Sequence, residues 1–232
     1  MSVRLTKRCM DLLALLRAAR WLTTQQVRRR FFPQATLDAT RKRLRKLTKA
    51  GYLVMCQEHR MREALFSLGR EGKRVLETNG AEEVVLERKV GRQIDHLAGI
   101  NDIRIAAETT LPLSYFFACW ELPAVGWRQP LIPDAVFSSG KHTFAVEFDR
   151  GGENMRFFLR TKVAAYLRGL EGFPLTAVLI ITDRRARMDS LARAIRDERG
   201  RFLFTTIDLV RKHDLAAPIF YRGGHDKGVS LV

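Results

Sequence analysis

Short apolar runs alternate with helical segments between residues 114 and 206, and this alternation constrains the fold more than any other feature of the sequence. The expected elements are, in order, strands at 114–122, 131–137 and 143–149, a helix at 153–170, a strand at 176–182, a helix at 187–198 and a strand at 202–206. Three consecutive strands predict an antiparallel meander, and strands separated by helices predict crossover connections. The expected fold class is therefore α/β (α+β), with a mixed sheet covered by helices.

The first eighty residues show a different order of elements. The expected elements are a helix at 8–19, a short helix ending near 31–33, a helix at 37–50, hairpin strands at 52–56 and 64–68, and a helix at 71–77. Thr36 can cap the third helix and Gly51 can end it. Residues 82–110 are expected to form one long helix or two.

The third helix is amphipathic at 100° per residue. Its narrow, mostly apolar arc consists of Leu37, Thr40, Leu44 and Leu47. Its opposite side carries Lys42, Arg45, Lys46 and Lys49, with Asp38 and Ala39 near them. One face is therefore expected to pack on the first two helices, while the other presents cations to solvent.

The positive charge is concentrated in the first third of the chain. The whole chain holds 41 Lys and Arg against 25 Asp and Glu, a net charge of +16. Residues 1–80 hold 19 against 6, a net of +13, and residues 81–232 hold 22 against 19, a net of +3. With a turn signal at Thr78-Asn79-Gly80, this predicts a basic domain over 1–80 and a second domain over 81–232. A polyanion is the expected partner, the alternative being a generally basic soluble protein.

Several other classes of protein are excluded by the sequence. It has no apolar stretch of 18 residues that could span a membrane. Its three cysteines are far apart and form no CxxC motif, which favours a reducing cytoplasm over a disulfide framework. Motifs for ATP, nicotinamide or α/β-hydrolase chemistry are missing.

The first eighty residues resemble a winged helix-turn-helix. The resemblance rests on three helices, Gly51-Tyr52-Leu53, a hairpin, and then Leu68-Gly69-Arg70-Glu71-Gly72. It implies that the third helix enters the major groove and that Arg60 and Arg62 at the hairpin tip touch the duplex. Its cations would neutralise phosphates, and Ala39 could touch bases. A solvated charged face and a protein–protein adaptor are the alternatives.

Three carboxylates are expected to meet in the second domain. Side chains alternate along strand 143–149, so Glu147 and Asp149 share one face, and Asp134 starts the neighbouring strand. The residues that point the other way, into a helix-covered core, are Phe144, Val146 and Phe148. Carboxylates at such short distances repel one another unless a cation or a proton lies between them. Their oxygen atoms are suitable ligands for Mg²⁺ or Mn²⁺. The alternative is three solvated carboxylates without a metal.

Pro133-Asp134 and Glu147-Phe148-Asp149 resemble the PD-(D/E)xK restriction-endonuclease-like superfamily. That resemblance implies two acids that hold a divalent metal and a lysine that orients or activates the attacking water. Asp149 stands at the position of that lysine. Either Lys162 supplies the cation from the following helix, or the site is degenerate. The implied catalytic residues are Asp134, Glu147, Asp149 and Lys162, and the implied metal ligands are the three acids.

Nearly the whole chain past residue 10 resembles the plasmid replication-relaxation family. The most specific part is Glu147-Phe148-Asp149-Arg150-Gly151-Gly152-Glu153, followed by Lys162-Val163-Ala164-Ala165-Tyr166. Membership implies association with plasmid or other mobile DNA, and a role in its replication or topological state. The implied location is the bacterial cytoplasm, with plasmid and nucleoid DNA.

Three functions are compatible with the sequence. The first is a double-stranded-DNA-binding protein whose nuclease-like domain supplies a second surface. The second is a Mg²⁺-dependent endonuclease that uses Asp134 and Glu147 with Lys162. The third is a regulatory adaptor of a replication or transfer complex. A homodimer and other replication or transfer proteins are further candidate partners, and no membrane is expected.

Overall fold

The computed structural model describes residues 3–57, 63–82, 84–87, 89–169, 175–195, 200–223 and 227–231. The chain forms two compact units, Met1–Asn101 and Asp102–Val232. Helices and strands are mixed in both, which confirms the predicted α/β (α+β) class. Within the described ranges, no helix is long and apolar enough to cross a membrane.

The first unit contains three helices followed by a hairpin and a further helix, in the predicted order. Its elements are α1 (Lys7–Ala19), β1 (Leu22–Thr23), α2 (Thr24–Phe31), α3 (Leu37–Lys49), β2 (Leu53–Cys56), β3 (Leu65–Leu68) and α4 (Arg70–Thr78). The strands form an antiparallel sheet in the order β1-β3-β2. The two-residue strand β1 was not expected, because it is too short to leave a periodic signal.

Threonine side chains begin the first three helices. Thr6, Thr23 and Thr36 each accept a hydrogen bond from a backbone N–H in the first turn of the helix that follows. Thr23 forms a capping box, since the Gln26 side chain also accepts from the Thr23 N–H at 2.9 Å. These caps satisfy N–H groups that no helical carbonyl can reach, and they fix where each helix starts.

The helix expected over 82–110 begins later than predicted. Helix α5 spans Ile94–Thr110, and the described residues between 81 and 93 are not helical. Val84 is fully buried although it lies outside any helix, whereas its neighbour Val85 is 74% exposed.

The first half of α5 belongs to the first unit. The Asn101 side-chain amide donates to the carbonyls of Ala19 at 2.9 Å and Trp21 at 2.8 Å. The Gln26 amide donates to the Ala98 carbonyl at 2.7 Å. These buried bonds explain why the first unit extends to Asn101, beyond the expected boundary at residue 80.

The second unit is built on one mixed sheet. Its elements are β4 (Leu113–Ala118), β5 (Ala135–Ser139), β6 (His142–Asp149), α6 (Met155–Phe158), a π-helical turn (Leu159–Val163), α7 (Ala164–Arg168), β7 (Ala177–Thr182), α8 (Arg185–Ala194), β8 (Phe202–Thr206), α9 (Ile207–Lys212), β9 (Phe220–Arg222) and β10 (Gly228–Val229). The sheet order is β10-β9-β8-β7-β6-β5-β4. Strands β4, β5 and β6 are antiparallel neighbours, and β6, β7 and β8 are parallel, as the sequence predicted.

Both faces of β6 are buried. Phe144, Val146 and Phe148 are at most 4% exposed, as expected for a core face. Ala145 on the opposite face is also buried, in a cluster with side chains of α6, α7 and α8. The acids of this strand therefore do not lie on a solvated surface.

Candidate functional site

Helix α3 presents one face to solvent along its whole length. Thr40, Leu44 and Leu47 are at most 1% exposed and form its buried side. The predicted cations Lys42, Arg45, Lys46 and Lys49 are all exposed. The amphipathic pattern therefore gives the outward-facing helix that the sequence predicted.

The first turn of α3 carries Asp38 and Ala39, both exposed. The Lys42 ammonium lies 2.9 Å from the Asp38 carboxylate, one turn away. Hydrogen bonding from Lys42 lowers the pKa of Asp38, so this carboxylate is ionised at neutral pH. Because both side chains are well exposed, a phosphate can replace the Asp38 carboxylate as the partner of Lys42 at little energetic cost.

Two further arginines of α3 were not singled out in the sequence. Arg41 is exposed, like its neighbour Lys42, and it extends the cationic face. Arg43 is structural instead: its guanidinium donates to the Arg4 carbonyl at 3.1 Å and to the Cys9 sulfur at 2.9 Å. The predicted hairpin-tip contacts Arg60 and Arg62 lie outside the described residues.

A second polar cluster is centred on Glu147 in β6. Its carboxylate is buried, with the residue 1% exposed. The Lys162 ammonium donates to Oε2 at 2.7 Å, and the Tyr166 hydroxyl donates to Oε1 at 2.6 Å. Both donors stand four residues apart on the helical segment that covers this face, so they lie one turn apart and reach the same carboxylate.

Asp134 lies beside Glu147, just before β5 begins. Its backbone N–H donates to the Val146 carbonyl at 3.0 Å, and its Oδ2 accepts the Phe148 N–H at 2.7 Å. The strand register pairs Ala135 with Val146, which places Asp134 opposite Glu147 on the same face. The structure therefore brings Asp134, Glu147 and Lys162 together, as the sequence predicted.

Charge and burial change the acid–base properties of this cluster. Burial, and then the negative charge of Asp134, raises the pKa of Glu147 to about 7, although Lys162 and Tyr166 oppose the shift. Burial acts to lower the pKa of Lys162, but Glu147 and Asp134 outweigh it and raise that pKa. Burial and the neighbouring Glu147 also raise the pKa of Tyr166. The cluster therefore holds a permanently charged ammonium beside a carboxyl that titrates near neutrality.

Asp149 has a different partner from the one expected. The Arg187 guanidinium in α8 lies 2.7 Å from its Oδ2, and the Gly151 N–H donates to its Oδ1 at 2.5 Å. Arg187 also donates to the Glu153 carbonyl at 3.0 Å. Asp149 thus ties the end of β6 to α8, whereas the prediction grouped it with Asp134 and Glu147.

The acids do not assemble into a three-carboxylate metal site. Among the described residues, no group of three His, Cys, Asp or Glu side chains is placed to hold a metal ion. An ammonium, and not a third carboxylate, faces Glu147. Asp149 therefore does not act together with Asp134 and Glu147 as a third metal ligand, and binding of Mg²⁺ or Mn²⁺ stays a prediction.

A π-helical turn carries Lys162. Leu159–Val163 form this turn between α6 and α7, so the helical segment contains one wider turn at that point. Such turns are rare and occur frequently at functional sites, since the extra residue redirects nearby side chains. Sequence periodicity predicted the helix, and the resemblance to the PD-(D/E)xK superfamily pointed to Lys162, but neither could predict the wider turn. Tyr166 follows Lys162 by four residues, and this spacing indicates that both side chains lie on the same face of the helix.

Comparison with known proteins gives one result. A family model described as replication-relaxation matches residues 13–172. The matched span includes α3, the Glu147 cluster and the π-helical turn. No curated protein and no solved structure matches the chain.

Proposed function

The chain belongs to the replication-relaxation family, and we propose that it is a double-stranded-DNA-binding protein acting in plasmid or mobile-element replication or DNA relaxation. Family membership supports the replication theme. DNA binding is supported by the surface of α3 and by the charge of the first eighty residues.

The single observation that carries this proposal is the exposed cationic face of α3. Three helices followed by the β2–β3 hairpin support a winged helix-turn-helix in which α3 enters the major groove. Cations that neutralise phosphates release counterions, which supplies affinity without regard to sequence. The residues that would contact phosphates are Arg41, Lys42, Arg45, Lys46 and Lys49. Asp38 and Ala39, in the first turn, would then face the base edges.

Charge reversal on α3 tests the proposal. The variant Lys42→Glu/Lys46→Glu should bind a short duplex roughly tenfold or more weakly than the wild type, because two phosphate contacts become repulsive. Lys141→Glu/Lys212→Glu is the matched control, since it changes the net charge equally at two exposed lysines of the second unit. Equal losses in both variants would show that net charge, and not α3, drives binding.

A Mg²⁺-dependent endonuclease is the second candidate. The observation that favours it is the meeting of Asp134, Glu147 and Lys162. Asp134 and Glu147 would hold the metal, and Lys162 would stabilise charge on the phosphate. However, both oxygens of Glu147 already accept hydrogen bonds from the protein, one of them from the Lys162 ammonium at 2.7 Å. This competition leads us to place DNA binding first.

Plasmid nicking separates the two candidates. Supercoiled plasmid is incubated with Mg²⁺ or Mn²⁺ and either the wild type or Glu147→Ala, with Asp95→Ala as a control carboxylate elsewhere in the chain. A protein that only binds DNA should leave the plasmid supercoiled in all cases. Metal-dependent nicking that Glu147→Ala abolishes and Asp95→Ala retains would establish the endonuclease instead.

A further inference from the structure

A cleft of about 370 Å³ opens on β4, an edge strand of the large sheet. Its aromatic lining comes from the strand and from the loop that follows. The lining residues that matter here are Tyr115, Phe117, Val125, Trp127 and Arg128. None of them belongs to the Glu147 cluster or to α3.

The aromatic residues of β4 differ between its two faces. Phe116 is 7% exposed and stacks on Phe137 in the core. Tyr115 and Phe117 point the other way, are only half-buried, and stack on each other with ring centroids 5.2 Å apart. Because these two rings are stacked face to face, each has its outer face and its edge left for contact with another aromatic plane.

The other wall of the cleft is fixed and partly charged. The Trp127 indole N–H donates to the Leu131 carbonyl at 3.0 Å, which sets the orientation of the ring. Next to it, the Arg128 side chain is exposed and Val125 is 51% exposed. The cleft therefore combines aromatic planes with an accessible guanidinium.

The cleft lies on the same face of the sheet as Glu147. Phe117 pairs with Val136, and Val136 pairs with Ala145, so these three side chains share one face. Glu147 follows Ala145 by two residues on that face. Only β5 lies between β4 and β6, so Phe117 and Ala145 are two strand spacings apart, or about 10 Å, and Glu147 lies two residues further along β6.

We propose that this cleft binds an unpaired base of single-stranded DNA. Aromatic planes stack on any base, while a neighbouring guanidinium can pair with the backbone phosphate. This inference rests on the proposed function, because a protein that acts in replication or relaxation meets strands that have separated.

An oligothymidine and an abasic oligonucleotide of the same length test the proposal. The two ligands carry the same phosphates, so a difference in affinity reports contacts to the bases and not to the backbone. The full-length wild type should bind the oligothymidine at least about fivefold more tightly than the abasic strand. Trp127→Leu and Tyr115→Ala should bind both strands alike, while Tyr115→Phe should keep the preference.

The duplex affinity of each variant separates this inference from the proposed function. Cleft variants that lose the base preference but bind duplex as the wild type does would support the cleft and show that they are folded. A wild type with no preference for the oligothymidine would overturn the cleft proposal, as would variants that keep the full preference. If instead the variant Lys42→Glu/Lys46→Glu bound duplex DNA as tightly as the wild type does, that result would count against DNA binding by α3.

Discussion

At the scale of single residues, the raised pKa of Glu147 makes the stability of the second unit depend on pH. Its pKa is raised from 4.5 to about 7, because burial and Asp134 disfavour the carboxylate. Between pH 4.5 and about pH 7, Glu147 therefore keeps its proton in the folded state, whereas it has lost that proton in the unfolded state. The stabilisation from this group is complete below pH 4.5 and is lost as the pH rises towards 7.

Removing this titration should flatten part of the pH dependence of stability. The wild type should lose about 3 kcal/mol of unfolding free energy relative to Glu147→Gln between pH 4.5 and pH 7. Chemical denaturation of both proteins across that range measures the difference. Parallel curves for the two proteins would show that the Glu147 pKa is not raised.

Lys162 should contribute most when Glu147 is ionised. Lys162→Met leaves a buried carboxylate without its cation, so we expect a loss of about 3 kcal/mol at pH 8. The loss should be smaller at pH 5, where Glu147 holds its own proton. Denaturation of the double variant Glu147→Gln/Lys162→Met provides the check: it should be more stable at pH 8 than Lys162→Met alone. A double variant as unstable as the sum of the single changes would contradict the pairing.

Which acids share a site depended on contacts that the sequence does not contain. Strand alternation correctly placed Glu147 and Asp149 on one face of β6. It could not show that Asp149 would pair with Arg187, which lies 38 residues later and reaches it only after the chain has crossed to β7 and returned in α8. The contact between Lys162 and Glu147 could be expected, because the superfamily resemblance places a lysine beside the acids of this site.

At the scale of elements, α3 depends on its N-cap for its first turn. Thr36 accepts a hydrogen bond from the Ala39 N–H at 3.2 Å. Thr36→Ala should destabilise the first unit by about 1 kcal/mol, whereas Thr36→Ser should retain most of the stability, because serine keeps the capping oxygen. Thermal denaturation of both variants tests this. Equal stability of Thr36→Ala and the wild type would show that the cap is not needed.

Elements with strong periodicity were predicted to within a few residues, and short or merged ones were not. Helix α3 and strand β8 occur nearly as expected. Helix α9 was missed because its six residues begin directly where β8 ends, so no turn signal separates them. The prediction of one long helix or two over 82–110 began too early: Val84 is buried and Val85 is 74% exposed, but neither lies in a helix.

At the scale of the whole molecule, the charge and the fold divide the chain in different ways. The excess of positive charge ends near residue 80, whereas the first unit continues to Asn101. Hydrogen bonds from Gln26 and Asn101 account for this difference, since they hold the start of α5 against the first unit. The end of the positively charged stretch therefore does not coincide with the end of the first structural unit.

The most direct test of the central claim is the salt dependence of duplex binding by the full-length protein and by Arg45→Gln/Lys49→Gln. If α3 lies on the phosphate backbone, the logarithm of affinity should fall linearly with the logarithm of salt between about 50 and 200 mM. The slope should be shallower by about 2 in the variant, because each neutralised contact releases about one counterion fewer. A wild-type affinity that does not change with salt, or equal slopes for the two proteins, would contradict the assignment of α3 as the DNA-binding helix.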